Sequence, residues 1–464
     1  MKKILLICFV TALILICGCQ KGELSLTPTG KVVGNVNEAI GTEVGTGWSI
    51  NENPEEAAAE AIGIALQGKL NKNPDLAIIF ASSGSDLDKI LAKTKDILGN
   101  DIKVYGGTSD SRAVMTEKGF VKATEKGYEY SKMEGKRGIA VMTISSKDIT
   151  FGVGSSDFSL YASVHEASKA AVMNAILDAG KQTNELPDII LLTPTIGAEE
   201  EVVEGIEEVV GKETIILGGT TGGPTQAVFG KDRAYEKGVS LAVIYTDLPI
   251  GWTFEGGFDT RDPHTGIVTK VDGQNIVEID NKPALDVYNE WLGGNVNQLH
   301  EEGKDPGLIR DLLTLSPIYR KYTSSTGQDY YLFSHPWPKD DNLIDRAVST
   351  STKINVGERI YLSKGTWETL VNRIGNLPKN AKLKGNINLN EKPILGIGVI
   401  CAGVLGTIPE SERKKIPLLI NYANNDAPFI ASFTWGEQGH FPGVGNKHGN
   451  LLTSFLVIGR SKEK

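Results

Sequence analysis

Short apolar runs alternate with helical patterns along most of the chain, and this alternation recurs. The segments "PDLAIIFASSGSDLDKI" from Pro74 and "PDIILLTPTIGAEEEVV" from Pro187 both continue from Pro-Asp through an apolar run, small or hydroxylated residues and an acidic helix start. Unbroken apolar runs joined by amphipathic helices are typical of parallel strands that are covered on both faces. The pattern therefore predicts an α/β fold.

Further matches extend the repeat. "KVYGGTSD" from Lys103 corresponds to "IILGGTTG" from Ile215, and "KRGIAVMTISS" from Lys136 corresponds to "EKGVSLAVIYT" from Glu236. A fainter third copy contains "KPILGIGVICAG", "PFIASFTWGEQG" and "KHGNLLTSFLVIG". Each copy predicts a βαβ unit followed by an antiparallel return strand, and the copies could form either a mixed sheet with flanking helices or a four-layer sandwich of two stacked sheets. Residues 251–362 predict a small β-rich insertion.

The first twenty residues, "MKKILLICFVTALILICGCQ", resemble a bacterial lipoprotein signal. Lys2 and Lys3 precede an apolar run that is too short for a permanent membrane span, and the run ends in the lipobox-like "ICGC". We predict a signal peptide over residues 1–18, lipidation of Cys19, and a mobile tether over residues 19–44. The expected product is an extracytoplasmic, membrane-anchored bacterial lipoprotein.

The composition fits a globular protein that does not bind nucleic acid. The chain is 40% hydrophobic and 23% charged, and its net charge of -9 includes 48 basic residues against 57 acidic ones. Such an acidic balance, without a dense basic patch, repels nucleic acid. The length indicates two or three domains, and we place a boundary near Asp247, which gives domains over residues 45–247 and 248–464.

A glycine-rich loop, "TIILGGTTGGPTQ", has the spacing of a phosphate-binding loop but not its chemistry. Gly218 and Gly223 are correctly spaced, yet Pro224 stands where a P-loop has lysine. Ligands of open α/β sheets bind beyond the carboxyl ends of the strands. The segments that follow the predicted parallel strands are rich in glycine and hydroxyl groups, and we therefore predict that they bind a small polar molecule. The alternative is that these residues only cap helices and allow close packing. The predicted ligand-binding residues at the strand ends are Ser82, Ser83, Gly107, Thr108, Ser109, Thr195, Gly219, Thr220 and Thr221.

The third copy adds Cys401, Trp435 and Glu437 to this predicted site. Glu437 could meet the amino group of a ligand from a strand exit, or be a surface loop residue. Cys401 could act as a nucleophile together with His440 or His448, but a lone cysteine after an apolar run is more often a small buried hydrophobe. The common hydrolase and metal motifs are missing from the sequence, so we predict neither a cofactor nor a metal.

The segments "FASSGSDL", "VYGGTSDS", "ILGGTTGG", "NKPALDVYNEWLG", "ICAG" and "FTWGEQG" together resemble the FIST domain family, with an N-terminal part followed by a C-terminal part. The resemblance implies a sensory module that recognises small ligands, amino acids among them, and it brings no catalytic mechanism. It also implies a signalling partner. We therefore expect a non-enzymatic sensory lipoprotein; the alternatives are a cell-envelope hydrolase or transferase that uses Cys401, and a structural lipoprotein.

Overall fold

A computed structural model describes residues 41–110, 113–122, 137–301, 306–339 and 345–460. The predicted signal peptide, Cys19 and most of the predicted tether lie outside the described residues. The first described strand begins at Thr42. No helix in the described part of the chain is both long enough and apolar enough to cross a membrane.

Three copies of one arrangement of strands and helices make up most of the fold. The first copy consists of β1 (Thr42–Ser49), α1 (Pro54–Ala65), β2 (Leu76–Ser82), α2 (Leu87–Leu98), β3 (Lys103–Ser109), β4 (Ala113–Thr116), β5 (Gly119–Lys122) and β6 (Ile139–Ser146). The second consists of β7 (Ile149–Asp157), α3 (Val164–Asp178), β8 (Ile189–Pro194), α4 (Glu199–Val210), β9 (Ile215–Gly219), β10 (Val228–Phe229), β11 (Ala234–Tyr235) and β12 (Gly238–Thr246).

The third copy is split by the predicted insertion. It begins with β13 (Ile250–Glu255), and the insertion then contributes β14 (Thr265–Asp272), β15 (Asn275–Ile279), β16 (Lys282–Pro283), α5 (Ala284–Trp291), α6 (Asn295–Glu301), α7 (Pro306–Thr314), β17 (Ile318–Thr323), β18 (Asp329–Ser334), β19 (Pro336–Pro338), β20 (Val348–Thr350) and β21 (Arg359–Leu362). The copy resumes with α8 (Trp367–Lys384), β22 (Leu395–Cys401), α9 (Ala402–Thr407), α10 (Glu410–Arg413), α11 (Ile416–Ala423), β23 (Phe429–Thr434), β24 (Glu437–Phe441), β25 (Gly445–Gly449) and β26 (Thr453–Ile458).

Each copy builds a six-stranded mixed sheet of the same order. The two inner strands are parallel, as in β2 and β3, β8 and β9, and β22 and β23. The return strand lies antiparallel between the first strand and the second strand of its copy. The α/β fold and the mixed sheets with flanking helices are thus confirmed, and the copies form three such sheets, where we had considered one mixed sheet or two stacked sheets. The insertion forms a separate antiparallel sheet.

The hairpin of each copy completes the sheet of another copy. Strands β10 and β11 extend the first sheet, β24 and β25 extend the second, and β4 and β5 extend the third. The pairs that join the copies include Val228 with Gly107, Glu437 with Gly219, and Met115 with Ala431. The exchange closes a ring in which the outer edge of each third strand is covered.

The three sheets share one apolar core. On β2, Leu76, Ile78 and Phe80 face this core, where they meet residues of the other two sheets such as Leu191 and Ile397. The alternate residues of the same strand face outward onto the apolar sides of α1 and α2. Because side chains alternate along a strand, an unbroken apolar run is what a sheet covered on both faces requires.

A glycine in the first strand of each copy allows a helix to lie directly against the strand. A Cβ on Gly47 would overlap the carbonyl oxygen of Ala61 in α1, one on Gly154 would overlap that of Ala171 in α3, and Gly251 relates in the same way to α8. The backbone of each helix therefore packs directly against the backbone of the strand.

We expect Gly154→Ala to lower the free energy of unfolding by about 2 kcal/mol, because the added methyl group has no space beside Ala171. Gly63→Ala is the matched control, since Gly63 is exposed in α1 and no described atom lies within 4 Å of its Cβ position. That substitution should raise the stability by about 0.5–1 kcal/mol. Urea unfolding of both variants checks the prediction, which is wrong if Gly154→Ala is as stable as the wild type.

Candidate functional site

The segments that follow the third strands of the three copies meet at one point. Trp435 Nε1 donates a hydrogen bond of 2.6 Å to Asp110 Oδ2, and Trp435 N donates to Thr220 O at 3.1 Å. Gly222 packs between these residues, so that a Cβ there would overlap both Asp110 and the indole ring of Trp435. The copies therefore contact each other at the strand ends, as the repeat had led us to expect.

Some of the predicted site residues belong to this junction. Ser83 Oγ accepts a hydrogen bond from Thr225 N at 3.1 Å and donates one to Thr225 O at 2.7 Å. Thr220 Oγ1 accepts from Gln438 Nε2 at 3.0 Å, while Thr221 Oγ1 donates to Gln226 Oε1. The hydroxyl groups of this set are buried and bonded to the protein itself.

The other hydroxyl groups lie along the sheets, where they bond to neighbouring segments. Each makes a hydrogen bond with a backbone group: Ser82 with Gly138, Thr108 with Ala227, Ser109 with Ala113 and Phe433, and Thr195 with Gly238. Gly107 and Gly219 lie opposite Val228 and Glu437 of the exchanged hairpins. These residues hold the copies and their loops together, and a role in ligand binding remains a prediction for them.

Glu437 lies in a dry cluster instead of at an exposed rim. Its carboxylate accepts from Thr434 Oγ1 at 2.7 Å and from Leu452 N at 3.1 Å, and no part of the residue is exposed. Burial raises the pKa of Glu437 to about 8, although these hydrogen bonds and the Arg373 guanidinium oppose the shift. Glu437 is therefore neither a loop residue nor available to a ligand from the surface.

The same cluster keeps Cys401 protonated. Burial, together with the nearby Glu437, raises the pKa of the Cys401 thiol far above its usual range. Burial also lowers the pKa of the Arg373 guanidinium to about 10. Since a thiolate is the nucleophilic form of cysteine, this environment does not favour covalent chemistry at Cys401.

A groove with a volume of about 510 Å³ opens beside the junction. One wall is the acidic side of α4, and the opposite wall comes from β17, β18 and β25 together with Lys353. The acidic wall carries Glu200, Glu204, Glu207 and Glu208, and the basic groups in the groove are Lys212, Arg320, Lys353 and Lys447. The groove thus presents both signs of charge across a short distance.

Arg320 is the most buried cation of the groove, with 8% of its surface exposed. Its Nη1 donates to Lys353 O at 2.8 Å and lies 3.5 Å from a carboxylate oxygen of Glu358. Its Nε is buried and has no hydrogen-bond partner among the described residues. An unpaired buried donor is costly, so an oxygen atom of a ligand would be a favourable partner for Arg320.

Two hydrogen bonds connect the groove to the strand-end junction. His448 Nδ1 accepts from Gln438 Nε2 at 3.0 Å, and the same amide group donates to Thr220. Both histidines that we considered in the sequence are buried in the β24–β25 hairpin, and burial lowers the pKa of His440. The two histidines are shielded from solvent because the hairpin pairs with β9 instead of standing free.

Sequence reasoning missed Arg320, Lys353 and the acidic face of α4. The first two belong to the insertion, which we interpreted only as a small β-rich segment. The acidic helix was recognised as a helix start but not as the wall of a site. Only tertiary contact brings α4 beside the insertion, as in the hydrogen bond of 2.8 Å from Lys353 N to Glu200 Oε1.

The solved structures that match the chain do so at low similarity. A cyanuric acid hydrolase from A. caulinodans has 8% sequence identity and a TM-score of 0.36, and the match covers 90% of this chain and 100% of that one. A second cyanuric acid hydrolase structure has 10% identity and a TM-score of 0.31, with the same coverage. Phosphoribosylformylglycinamidine synthase II from Thermotoga maritima has 12% identity and a TM-score of 0.23, covering 95% of this chain and 77% of that one. No curated protein sequence matches the chain significantly.

Family models define the class of protein. The FIST N domain model matches residues 41–282, and the FIST C domain model matches residues 284–440. FIST domains are sensory domains of signal-transduction proteins. The chain belongs to the FIST family, as its motifs predicted.

The buried carboxyl group of Glu437 predicts how stability depends on pH. A group whose pKa is about 8 when folded and near 4.5 when unfolded binds more protons in the folded state between these values. The protein should therefore lose stability as the pH rises through the range between these two values, by at most about 5 kcal/mol from this group. Glu437→Gln should flatten the profile of unfolding temperature against pH, whereas Glu290→Gln, an exposed control, should leave it unchanged. Equal profiles for the wild type and Glu437→Gln would contradict the prediction.

Proposed function

We propose that the protein is an extracytoplasmic, lipid-anchored sensor that binds a small polar metabolite such as an amino acid and signals through a partner protein in the envelope. The observation that carries the proposal is the groove with acidic and basic walls beside the junction of the three copies. Membership of a sensory family supports the signalling role. We place the ligand in the groove, with the strand-end junction as its support.

The charges in the groove suit a zwitterion. The glutamates of α4 are placed to attract an ammonium group, and Arg320 with Lys353 is placed to bind a carboxylate. Charge-assisted hydrogen bonds of this kind are about twice as strong as neutral ones. The volume of about 510 Å³ lies within the range of small-molecule sites, roughly 300–1,000 Å³.

The environment of Cys401 weighs against the alternative of a cysteine-dependent hydrolase or transferase, since its thiol keeps its proton. Cys401 also lies in the dry cluster, while the charged groups that can meet a polar ligand line the groove. Binding without covalent chemistry is the function that this arrangement favours.

A thermal-shift screen of the full-length chain against amino acids and small carboxylates tests the proposal, because a ligand that binds the folded state raises the unfolding temperature. For the ligand so found, Lys353→Gln should weaken binding about tenfold, since a charged hydrogen bond is lost. Lys270→Gln changes an exposed lysine of the insertion outside the groove and should bind normally. Cys401→Ser should also bind normally.

The proposal of a groove site is wrong if Lys270→Gln weakens binding as much as Lys353→Gln does. A screen in which no compound shifts the unfolding temperature would favour a structural role for the protein. Loss of a measured turnover in Cys401→Ser would favour the enzyme alternative.

The proposed anchor has a separate test in bacterial cells. Wild-type protein should fractionate with membranes, and Cys19→Ser should release it to the soluble extracytoplasmic fraction because no acyl chain can be attached. Cys17→Ser is the matched control, since it changes a neighbouring thiol that the lipobox does not modify. Membrane association that persists in Cys19→Ser would show that the anchor is not a lipid on this residue.

A further inference from the structure

The inner end of the groove holds a cluster of three possible metal ligands. Glu199, Glu200 and His448 each offer one donor atom, and these atoms all lie within 4.8 Å of one another. The two glutamates open helix α4, and the histidine comes from β25, so the cluster forms only when the third copy's hairpin joins the second sheet. Its members are thus brought together by tertiary structure and not by neighbourhood in the sequence.

Backbone hydrogen bonds orient both carboxylates. Gly197 N donates to Glu199 Oε2 at 3.0 Å, and Lys353 N donates to Glu200 Oε1 at 2.8 Å. The second oxygen of each carboxylate has no hydrogen-bond donor within the described ranges of the chain. Carboxylates held by one oxygen, with the other free, are arranged as metal ligands commonly are.

The two carboxylates of the cluster form no ion pair with the basic groups of the groove. Glu199 is only 2% exposed, and neither glutamate forms an ion pair with a described lysine, arginine or histidine. The N-terminus of α4 contributes roughly half a unit of positive charge, which does not balance two carboxylates. Burying the Glu199 carboxylate without a paired cation is unfavourable, and a divalent cation would remove this cost.

Two side chains near His448 have buried amide oxygens without partners among the described residues. Asn450 Oδ1 and Gln438 Oε1 have no hydrogen-bond donor among the described residues, although both side chains are buried. The Asn450 amide lies beside His448 Nε2, because a Cβ on Gly436 would come within 3.4 Å of Asn450 Nδ2 and 3.2 Å of that imidazole nitrogen. On the Nε2 side of the ring, a water molecule on a metal ion is a donor that the Asn450 amide oxygen could accept from.

The hydrogen bonds of His448 are compatible with metal binding. Its Nε2 now lies 3.2 Å from Ser351 O, and its Nδ1 accepts from the Gln438 amide. A metal on Nε2 requires a proton on Nδ1, and half a turn of the Gln438 amide would place Oε1 to accept that proton. The Ser351 carbonyl oxygen would then be a fourth oxygen or nitrogen donor near the ion.

We propose that Glu199, Glu200 and His448 bind a divalent transition-metal ion such as Zn²⁺ or Mn²⁺. One imidazole with two carboxylates is a donor set that these ions accept, whereas Ca²⁺ prefers oxygen ligands alone. Glu200 and His448 also line the groove, so the ion adds positive charge at its inner end. The inference goes beyond the proposed function and does not depend on the identity of the metabolite.

Calorimetric titration of the full-length chain after treatment with a chelator tests the site. We expect one Zn²⁺ per chain with a micromolar or lower Kd, Mn²⁺ binding at the same site, and Ca²⁺ at least a hundredfold weaker. Glu199→Gln and Glu200→Gln should each weaken Zn²⁺ binding at least tenfold. Glu201→Gln makes the same charge change in the same helical turn outside the cluster, and it should bind as the wild type does.

Three results would overturn the site: no Zn²⁺ binding by the wild type, equal losses in Glu199→Gln and Glu201→Gln, or Ca²⁺ binding as tightly as Zn²⁺. Unfolding temperatures measured in the presence of a chelator show whether the variants fold. If Glu199→Gln does not fold, Glu200→Gln still tests the site, because Glu200 is partly exposed.

A metabolite screen in the presence of a chelator separates the two proposals. Zn²⁺ binding without any metabolite shift contradicts only the sensor, and a metabolite shift without Zn²⁺ binding contradicts only the metal site.

Discussion

The pairing of each hairpin with the third strand of another copy is the constraint on which this structure depends. Glu437 lies opposite Gly219, and Val228 lies opposite Gly107, at the ends of strands that would otherwise be open edges. The glycines make the pairing possible: a Cβ on Gly219 would overlap the side chains of Val399 and Thr434. The glycine-rich loop that resembles a phosphate-binding loop is thus explained by close packing between copies.

The third hairpin, β24–β25, shows what the exchange achieves. One of its strands carries Glu437 into a cluster with Cys401 and Arg373, where burial controls every titratable group. Its other strand carries His448 to the end of the groove. A single hairpin therefore links the core of the third copy, the edge of the second sheet and the surface where a ligand can bind.

The repeat could be predicted from sequence because its signals are local. Apolar runs, small residues at strand ends and alanine-rich helices each report on their own segment, and they gave the α/β units, the return strands and the insertion. The exchange of hairpins could not be predicted, since "EQGHF" at Glu437–Phe441 carries no sign that it pairs with a strand more than 200 residues earlier. The three separate sheets, one for each copy, were likewise not predicted, since we had considered one mixed sheet or two stacked sheets.

For the candidate site too, the local features could be predicted and the tertiary contacts could not. The sequence located the strand ends and led us to predict one site there, but it could not show that Glu437 is covered by other segments. Arg320 and the acidic face of α4 were missed, since a groove between an insertion and a helix has no sequence signature. Burial, which decides the pKa of Glu437, is likewise a property of the assembled ring.

The order of the strands along the chain also governs how the protein can be made. The first sheet has all its strands once synthesis has passed Tyr235, but the second sheet must wait for Gly445–Gly449, about two hundred residues after its own return strand. While these residues are being synthesised, β9 has an open edge in the second sheet. An open edge can pair with a strand of another chain, so the nascent protein is exposed to misassembly until its own third hairpin has formed.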